Sequence, residues 1–331
     1  MTKVRFGLRG TGSYTPEKRL TNSELSEIVD TSDEWITKRT GIKERRILAE
    51  GQTTSDMCIA AAKIALEDAG ITAADLDLII LGTVTPDQHV PATSCKVAAA
   101  LGCEKTPAFD VAAGCSGFIY SASIASQFLR AGTSRNVLVI GSEALSRIAN
   151  YKDRTSCILF GDAAGAAIFS TEDWFAEVLS NTIEADGSGY DVMYQTAGGA
   201  QQPLTADLLD ANEHKLVIHG REVYRFAVNR MVELVRGEQA KNPDYELGAV
   251  VPHQVNARII ESAREKLELP LERVFVNIDR YGNTSAASVP LAFDEARRTG
   301  FFDGLEGKLV VMCAFGAGLT WGSLALRWGR S

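Results

Sequence analysis

Four short apolar runs punctuate the first half of the chain: 76–81 (LDLIIL), 109–112 (FDVA), 136–140 (NVLVI) and 163–170 (AAGAAIFS). Runs of this length, rich in branched residues and bounded by turn formers, read as buried strands. Between the strands the apolar period changes. Over 55–69 it recurs every three to four residues, which predicts a helix with Thr53, Thr54 or Ser55 at its N-cap and Gly70 at its C-cap. Strands alternating with helices predict an α/β architecture with mostly parallel sheets.

The second half repeats the scheme. The run 247–251 (LGAVV) leads into a helix from about 256 to 267, and 274–278 (VFVNI) leads into YGNTSAAS and a further helix. The run 308–313 (KLVVMC) leads into a Gly-rich turn. Three pairs of segments correspond in order: LIILGTVTPDQ with AVVPHQ, FDVAAGCSG with VNIDRYGNTSA, and FGDAAGAAIFS with FGAGLTWGSLALR. Thr83 and Cys115 lie 32 residues apart, His253 and Asn283 lie 30 apart. Matched order at matched spacing predicts a duplicated α/β unit, with halves at 1–172 and 173–331. The segment 181–220, rich in Gly, Gln and polar residues, reads as a solvated insertion more readily than as a lid.

Composition narrows the function classes. A net charge of −8 argues against a general nucleic-acid surface but leaves room for a local basic patch. No apolar run approaches the roughly 20 residues that span a bilayer. The start MTKVRFGLRG has no signal-peptide core, so a cytoplasmic protein is expected. Six cysteines without C-x-x-C spacing and four histidines without clustering suggest neither disulfides nor a metal site.

Three polar residues fall where predicted strands end, the place where ligands gather in parallel α/β folds. Cys115 sits before a helix, whose free N–H groups and partial positive charge favour a thiolate. It could then attack a thioester; equally, a free cysteine is more often a small buried hydrophobe. His253 is a base or a satisfied core histidine, and Asn283 is a donor or a helix cap. The turn 314–322 (AFGAGLTWG) is either a simple chain reversal or a set of N–H groups facing developing negative charge. The residues alone leave these alternatives open.

Seven blocks together resemble the β-ketoacyl-acyl-carrier-protein synthase III family. They are GTGSYTPE (10–17), VDTSDEWITKRTGIKERR (29–46), FDVAAGCSGF (109–118), LFGDAAGAA (159–167), VPHQVNARII (251–260), DRYGNTSAASVP (279–290) and FGAGLTWGS (315–323). The resemblance implies a thiolase-like duplicated fold, a five-layer αβαβα sandwich, dimerising through the N-terminal half. It implies that Cys115, His253 and Asn283 form one site and that Cys115 takes an acyl group from acyl-CoA. Malonyl-acyl carrier protein then loses CO2 and attacks. No cofactor is implied beyond the coenzyme A thioester, which is substrate.

The same resemblance gives His253 and Asn283 as donors to the enolate oxygen. It gives Phe315, Gly316, Ala317 and Gly318 as the site lining, with the amides of Cys115 and Ala317 as a second oxyanion hole. Many relatives carry Gly at Ala317, so the turn must not need positive φ there. Thr31, Trp35, Arg39, Arg154 and Asn256 correspond to coenzyme A contacts, with adenine between Trp35 and Arg154. Arg225 and Arg258 correspond to carrier-docking positions. Val90 stands where acetyl-selective relatives have Phe in the acyl-pocket gate, a loop that crosses from the partner subunit, so a roomier pocket is expected. Competing readings are a secondary-metabolite condensing or acyl-transfer enzyme of the same fold, a Cys-dependent thioester hydrolase, and a non-catalytic acyl-CoA-binding protein.

Overall fold

The computed structural model describes residues 4–330. Nine strands join in one sheet: β1 Gly7–Tyr14, β2 Leu78–Gly82, β3 Ala108–Val111, β4 Asn136–Ala144, β5 Asp162–Ser170, β6 Ala176–Ala185, β7 Leu247–Pro252, β8 Leu309–Gly316 and β9 Thr320–Trp328. Their spatial order is β3-β2-β4-β5-β1-β6-β9-β8-β7. It consists of one pattern used twice. In the first repeat β2 pairs in parallel with β3 and β4, then β5 pairs antiparallel with β4 and with β1. In the second, β7 pairs in parallel with β8, and β9 pairs antiparallel with β8 and with β6. A lone parallel bridge from Val250 to Val274 stands where the equivalent of β3 would lie. The repeats meet through two residue pairs, Gly7 with Glu177 and Leu8 with Ala176.

Among the described residues, seven helices of eight residues or more position the rest: α1 Asp33–Thr40, α2 Thr54–Ala69, α3 Thr93–Leu101, α4 Gly117–Arg130, α5 Gly220–Lys241, α6 Ala257–Lys266 and α7 Ser288–Arg298. Helix α2 starts at Thr53, whose hydroxyl accepts from the Asp56 amide, and stops at Gly70 with φ 64°. An N-cap of this kind stabilises a helix by about 1 kcal/mol. Helices α2 and α3 cover the outer face of the first repeat, and α5 covers the outer face of the second with α6 packed against it. Helices α4 and α7 touch strands of both repeats. They form the middle layer, around a core that includes Phe118, Ile119, Val289, Phe293 and Met312. The five layers implied by the resemblance are present.

Three expectations need correction. The sheet is not mostly parallel: β2–β3, β2–β4 and β7–β8 pair in parallel and the other five neighbours pair antiparallel, because each repeat returns its last strand beside the one before it. The segment 181–220 is not a structureless insertion. β6 continues to Ala185, Met193–Gln195 pairs with Leu216–Ile218, and a short helix occupies Ala206–Asp210. The expected strand at 274–278 contributes only the Val274 bridge, because from Ile278 the chain turns into the short helix Ile278–Tyr281.

Candidate active site

Cys115 lies in a 3-10 turn, Gly114–Ser116, that runs directly into α4. Gly114 has φ 52°, and a Cβ there would come within 2.9 Å of the Ala317 amide nitrogen. A Cβ on Gly316 would lie 2.6 Å from the Cys115 amide nitrogen. These bare backbones let the cysteine turn and the 314–318 turn press together, with two N–H groups on facing chains. The positive φ of the second turn falls on Gly318, at 138°, and not on Ala317. An alanine therefore fits this turn, and its N–H is kept. Thr320 fastens the arrangement, its hydroxyl near the carbonyl oxygens of both Ala113 and Ala317 at 3.0 Å.

Desolvation works against the thiolate that the helix start favours. Cys115 keeps some solvent access, but its surroundings push the thiol pKa up to about 12. Desolvation of the charged form is the main cause, and the Ser285 hydroxyl against the thiol only moderates it. The free enzyme therefore carries a thiol, and its proton must leave as the sulfur attacks.

His253 is wholly buried just after β7, its amide donating to the Cys313 carbonyl at 2.8 Å. Burial alone pulls its pKa down to about 3, so the ring is neutral across the physiological range. Nδ1 lies 2.6 Å from Ser288 Oγ, while Nε2 is buried with no partner. Phe315 stands edge-on to the ring, with centroids 5.6 Å apart. An orphaned ring nitrogen in such a place costs stability unless a ligand meets it.

Asn283 is 4% exposed. Its backbone bridges to the 159–161 segment, donating to the Leu159 carbonyl and accepting from the Gly161 amide. Its Oδ1 accepts from the Ser285 amide at 2.8 Å, which fixes the side chain and leaves Nδ2 as its uncommitted donor. The 283–288 segment ties the three residues together. Asn283 binds Ser285, Ser285 meets Cys115, and Ser288 holds His253.

The other predicted residues lie apart from this centre. Trp35, on α1, is half-buried, and the guanidiniums of Arg39 and Arg154 lie over its ring at 4.6 and 5.5 Å from the centroid. Arg154 also donates to the Asp30 carbonyl at 2.9 Å. Thr31 Oγ1 is buried without a partner. Asn256 caps α6 by accepting from the Arg258 amide at 2.9 Å and donates from Nδ2 to the Arg39 carbonyl at 3.1 Å. The amide thus joins α1 and α6 and keeps a second N–H and a second lone pair. Arg225 and Arg258 are exposed on neighbouring helices α5 and α6.

Val90 is 83% exposed and closes nothing in its own chain. The loop that carries it lines a cavity of about 850 Å³, together with Ala144, Arg147, Ile148 and residues of the 195–204 segment. Among the described residues, no group of three His, Cys, Asp or Glu could hold a metal ion. No described helix is long and apolar enough to cross a membrane.

Ser285, Ser288 and Glu143 were missed by reading the sequence. Each is an ordinary polar residue inside a helix start or strand, without a local motif. The signal that was present is the position of the two serines directly after Asn283, in NTSAAS.

Comparison with known proteins covers the chain. Residues 109–187 match the family described as 3-Oxoacyl-[acyl-carrier-protein (ACP)] synthase III, and residues 238–328 match its C-terminal description. The beta-ketoacyl-[acyl-carrier-protein] synthase III of Caldanaerobacter subterraneus subsp. tengcongensis is 48% identical, over 99% of this chain and 99% of that protein. The crystal structure of 3-oxoacyl-[acyl-carrier-protein] synthase III from Aquifex aeolicus superposes with a TM-score of 0.89 at 44% identity, over 98% of this chain and 100% of the other. The priming β-ketosynthase of the R1128 polyketide pathway gives 0.89 at 34% identity, over 99% and 97%.

Proposed function

This chain belongs to the β-ketoacyl-acyl-carrier-protein synthase III family, and from that premise we propose that it joins a short acyl-CoA to malonyl-acyl carrier protein through an acyl group carried on Cys115. The observation that carries the residue assignment is the buried, unpartnered Nε2 of His253, tied through the 283–288 segment to a free Asn283 Nδ2 and to the Cys115 thiol.

The chemistry follows from that arrangement. In the Nε2–H tautomer, Nδ1 accepts from the Ser288 hydroxyl and Nε2 donates into the site. Loss of CO2 from a malonyl thioester puts negative charge on its carbonyl oxygen. Two buried neutral donors, His253 Nε2–H and Asn283 Nδ2–H, stabilise that charge more strongly than water would. A neutral imidazole donates without needing a proton from solvent. The amides of Cys115 and Ala317 serve the tetrahedral intermediates at the acyl carbonyl, and Phe315 keeps the His253 side dry. Trp35 offers a face for the coenzyme A adenine, and Arg39 and Arg154 offer charge for its phosphates. The thioester hydrolase and simple binding readings leave the paired donors without a task.

Mass spectrometry after mixing with acetyl-CoA tests the first half-reaction: an acetyl group on the Cys115 peptide is expected. Incubation with malonyl-acyl carrier protein should then yield a ketoacyl-carrier product. If no acyl-CoA modifies Cys115, the proposal fails.

The exposed gate loop supports a homodimer in which Val90 reaches the acyl pocket of a partner subunit. A valine leaves more room there than the phenylalanine of acetyl-selective relatives, so branched or longer primers are accepted. That room also keeps a polyketide-type priming role as the second reading. Val90→Phe should shift the ratio of longer to acetyl primer use about 10-fold toward acetyl, the scale of a few methylenes in an apolar pocket. An unchanged primer-length series would refute the gate.

Acidic carrier proteins need a basic rim, and Arg225 and Arg258 supply one on adjacent helices. Exchanging both for Glu should raise KM for the carrier about 10-fold at low salt, and less at high salt. KM for acyl-CoA should stay unchanged. Steady-state kinetics with each substrate varied in turn would show this.

A further inference from the structure

Glu143 is a fully buried carboxyl near the end of β4. Among the described residues no Lys or Arg pairs with it. It is surrounded by donors instead: the Val84 amide at 3.1 Å, the Thr85 hydroxyl at 2.6 Å, the Thr83 hydroxyl at 3.4 Å and the Ser285 hydroxyl at 3.3 Å. Ser285 is held at φ 48°, a conformation that a residue with a side chain keeps only where its surroundings fix it. That backbone sets the Ser285 hydroxyl on the Glu143 carboxyl, in a turn, Ser285–Ala287, that packs against the Gly114–Ser116 turn carrying Cys115.

The need for such a group comes from His253, and this inference rests on the reading of the site given above. If His253 Nε2 carries a proton to donate to the enolate oxygen, it cannot take the Cys115 proton in the same tautomer. A thiol that burial keeps protonated must pass its proton elsewhere.

We propose that Ser285 and Glu143 form that path, Ser285 accepting the Cys115 thiol proton as it donates its own to Glu143 Oε1. Ser285 is then a catalytic residue, and Glu143 acts through it. As the sulfur attacks, the new S–C bond forms to the acyl carbonyl and the carbon–sulfur bond to coenzyme A breaks. The departing thiolate recovers the proton back along the same path, and Glu143 returns to carboxylate. The balance is acyl-CoA plus thiol giving thioester plus free coenzyme A, with no other reactant.

Burial pushes the Glu143 pKa up to about 7, which suits a group that must both take and return a proton near neutrality. The titratable groups that feel its charge are Cys115 and Cys58. Asp87 and Asp110 also act on Cys58, and both are held by other donors: Asp87 by Ser55 and Lys96, Asp110 by the amides of Thr93 and Ser94.

The test is single-turnover acetyl transfer from acetyl-CoA to Cys115, followed by mass spectrometry across pH 5.5 to 8.5, a range of about three units around neutrality. The wild-type rate should rise through the region near 7 as Glu143 ionises. Glu143→Gln should transfer about 10²-fold more slowly and lose that rise. Ser285→Ala should fall similarly, and the double variant no further than the slower single one. Were Glu143 only a nearby charge, removing it would lower the thiol pKa and speed transfer. A Glu143→Gln rate that is unchanged or faster therefore overturns the relay. Decarboxylation of malonyl-acyl carrier protein moves no thiol proton; an equal fall in that activity would assign Glu143 to holding the fold and also overturn the relay. Absence of any acetyl adduct on the wild type overturns the reading of the site itself, and the relay with it.

Discussion

Cys115→Ala should abolish condensation by about 10⁵-fold or more, the scale seen when a covalent nucleophile is removed. No acyl adduct should form with any acyl-CoA. Decarboxylation of malonyl-acyl carrier protein should persist, because its donors, His253 and Asn283, lie on other segments and are anchored independently of the sulfur. Neither bonds to Cys115: His253 is held by Ser288 and the Cys313 carbonyl, Asn283 by Ser285 and the 159–161 segment. The measurement is paired, CO2 release beside ketoacyl product. Loss of both together would place Cys115 in the decarboxylating step and refute the division of labour.

His253→Ala should show the reverse pattern. Decarboxylation should fall about 10²- to 10³-fold, the effect of removing one donor from an oxyanion site, while acetylation of Cys115 falls less. The same residue sets an acid limit on stability. Its folded pKa, near 3, lies below the ordinary 6.5, so the unfolded chain binds the extra proton first as pH falls. The stability held by the neutral ring is present above 6.5 and is lost as pH drops from there toward 3. Melting temperatures of wild type and His253→Ala should therefore converge as pH falls from about 7 to about 4, across most of the interval between the two pKa values. A constant difference would mean that the ring is not buried neutral.

Strands that are buried on both faces were legible in the sequence. LIILG and NVLVI are continuous apolar runs because β2 and β4 are buried at every position. β1, GLRGTGSY, was missed because its glycines admit close neighbours: a Cβ on Gly10 would lie 2.5 Å from the backbone of α2. A strand chosen for closeness rather than bulk carries no apolar run. β6 was hidden for another reason, as its outer half turns exposed and polar.

At the site, the residue types of Cys115, His253 and Asn283 and the strand-end positions of the first two could be read locally, whereas Asn283 follows a short helix. Their meeting could not, since Ser285 and Ser288 make the connections. Two opposed effects act on the Cys115 thiol: the helix start is visible in sequence, but the desolvation that pushes its pKa up is not. The tie from Asn256 to the Arg39 carbonyl was equally hidden, because the two lie 217 residues apart.

The repeated strand order has a last consequence. Cys115 follows β3 of one repeat, and Asn283 follows the Val274 bridge that stands in the same place in the other. Superposed, the two repeats would put a nucleophile and an amide donor on equivalent corners. Under the function proposed above, the chain is an internal pair whose copies have specialised, one to carry the acyl group and the other to stabilise its attacker. Specialisation leaves no second, symmetry-related centre. Because α4 and α7 start beside the two corners and share one middle layer, neither copy keeps a working half-site if the pair comes apart.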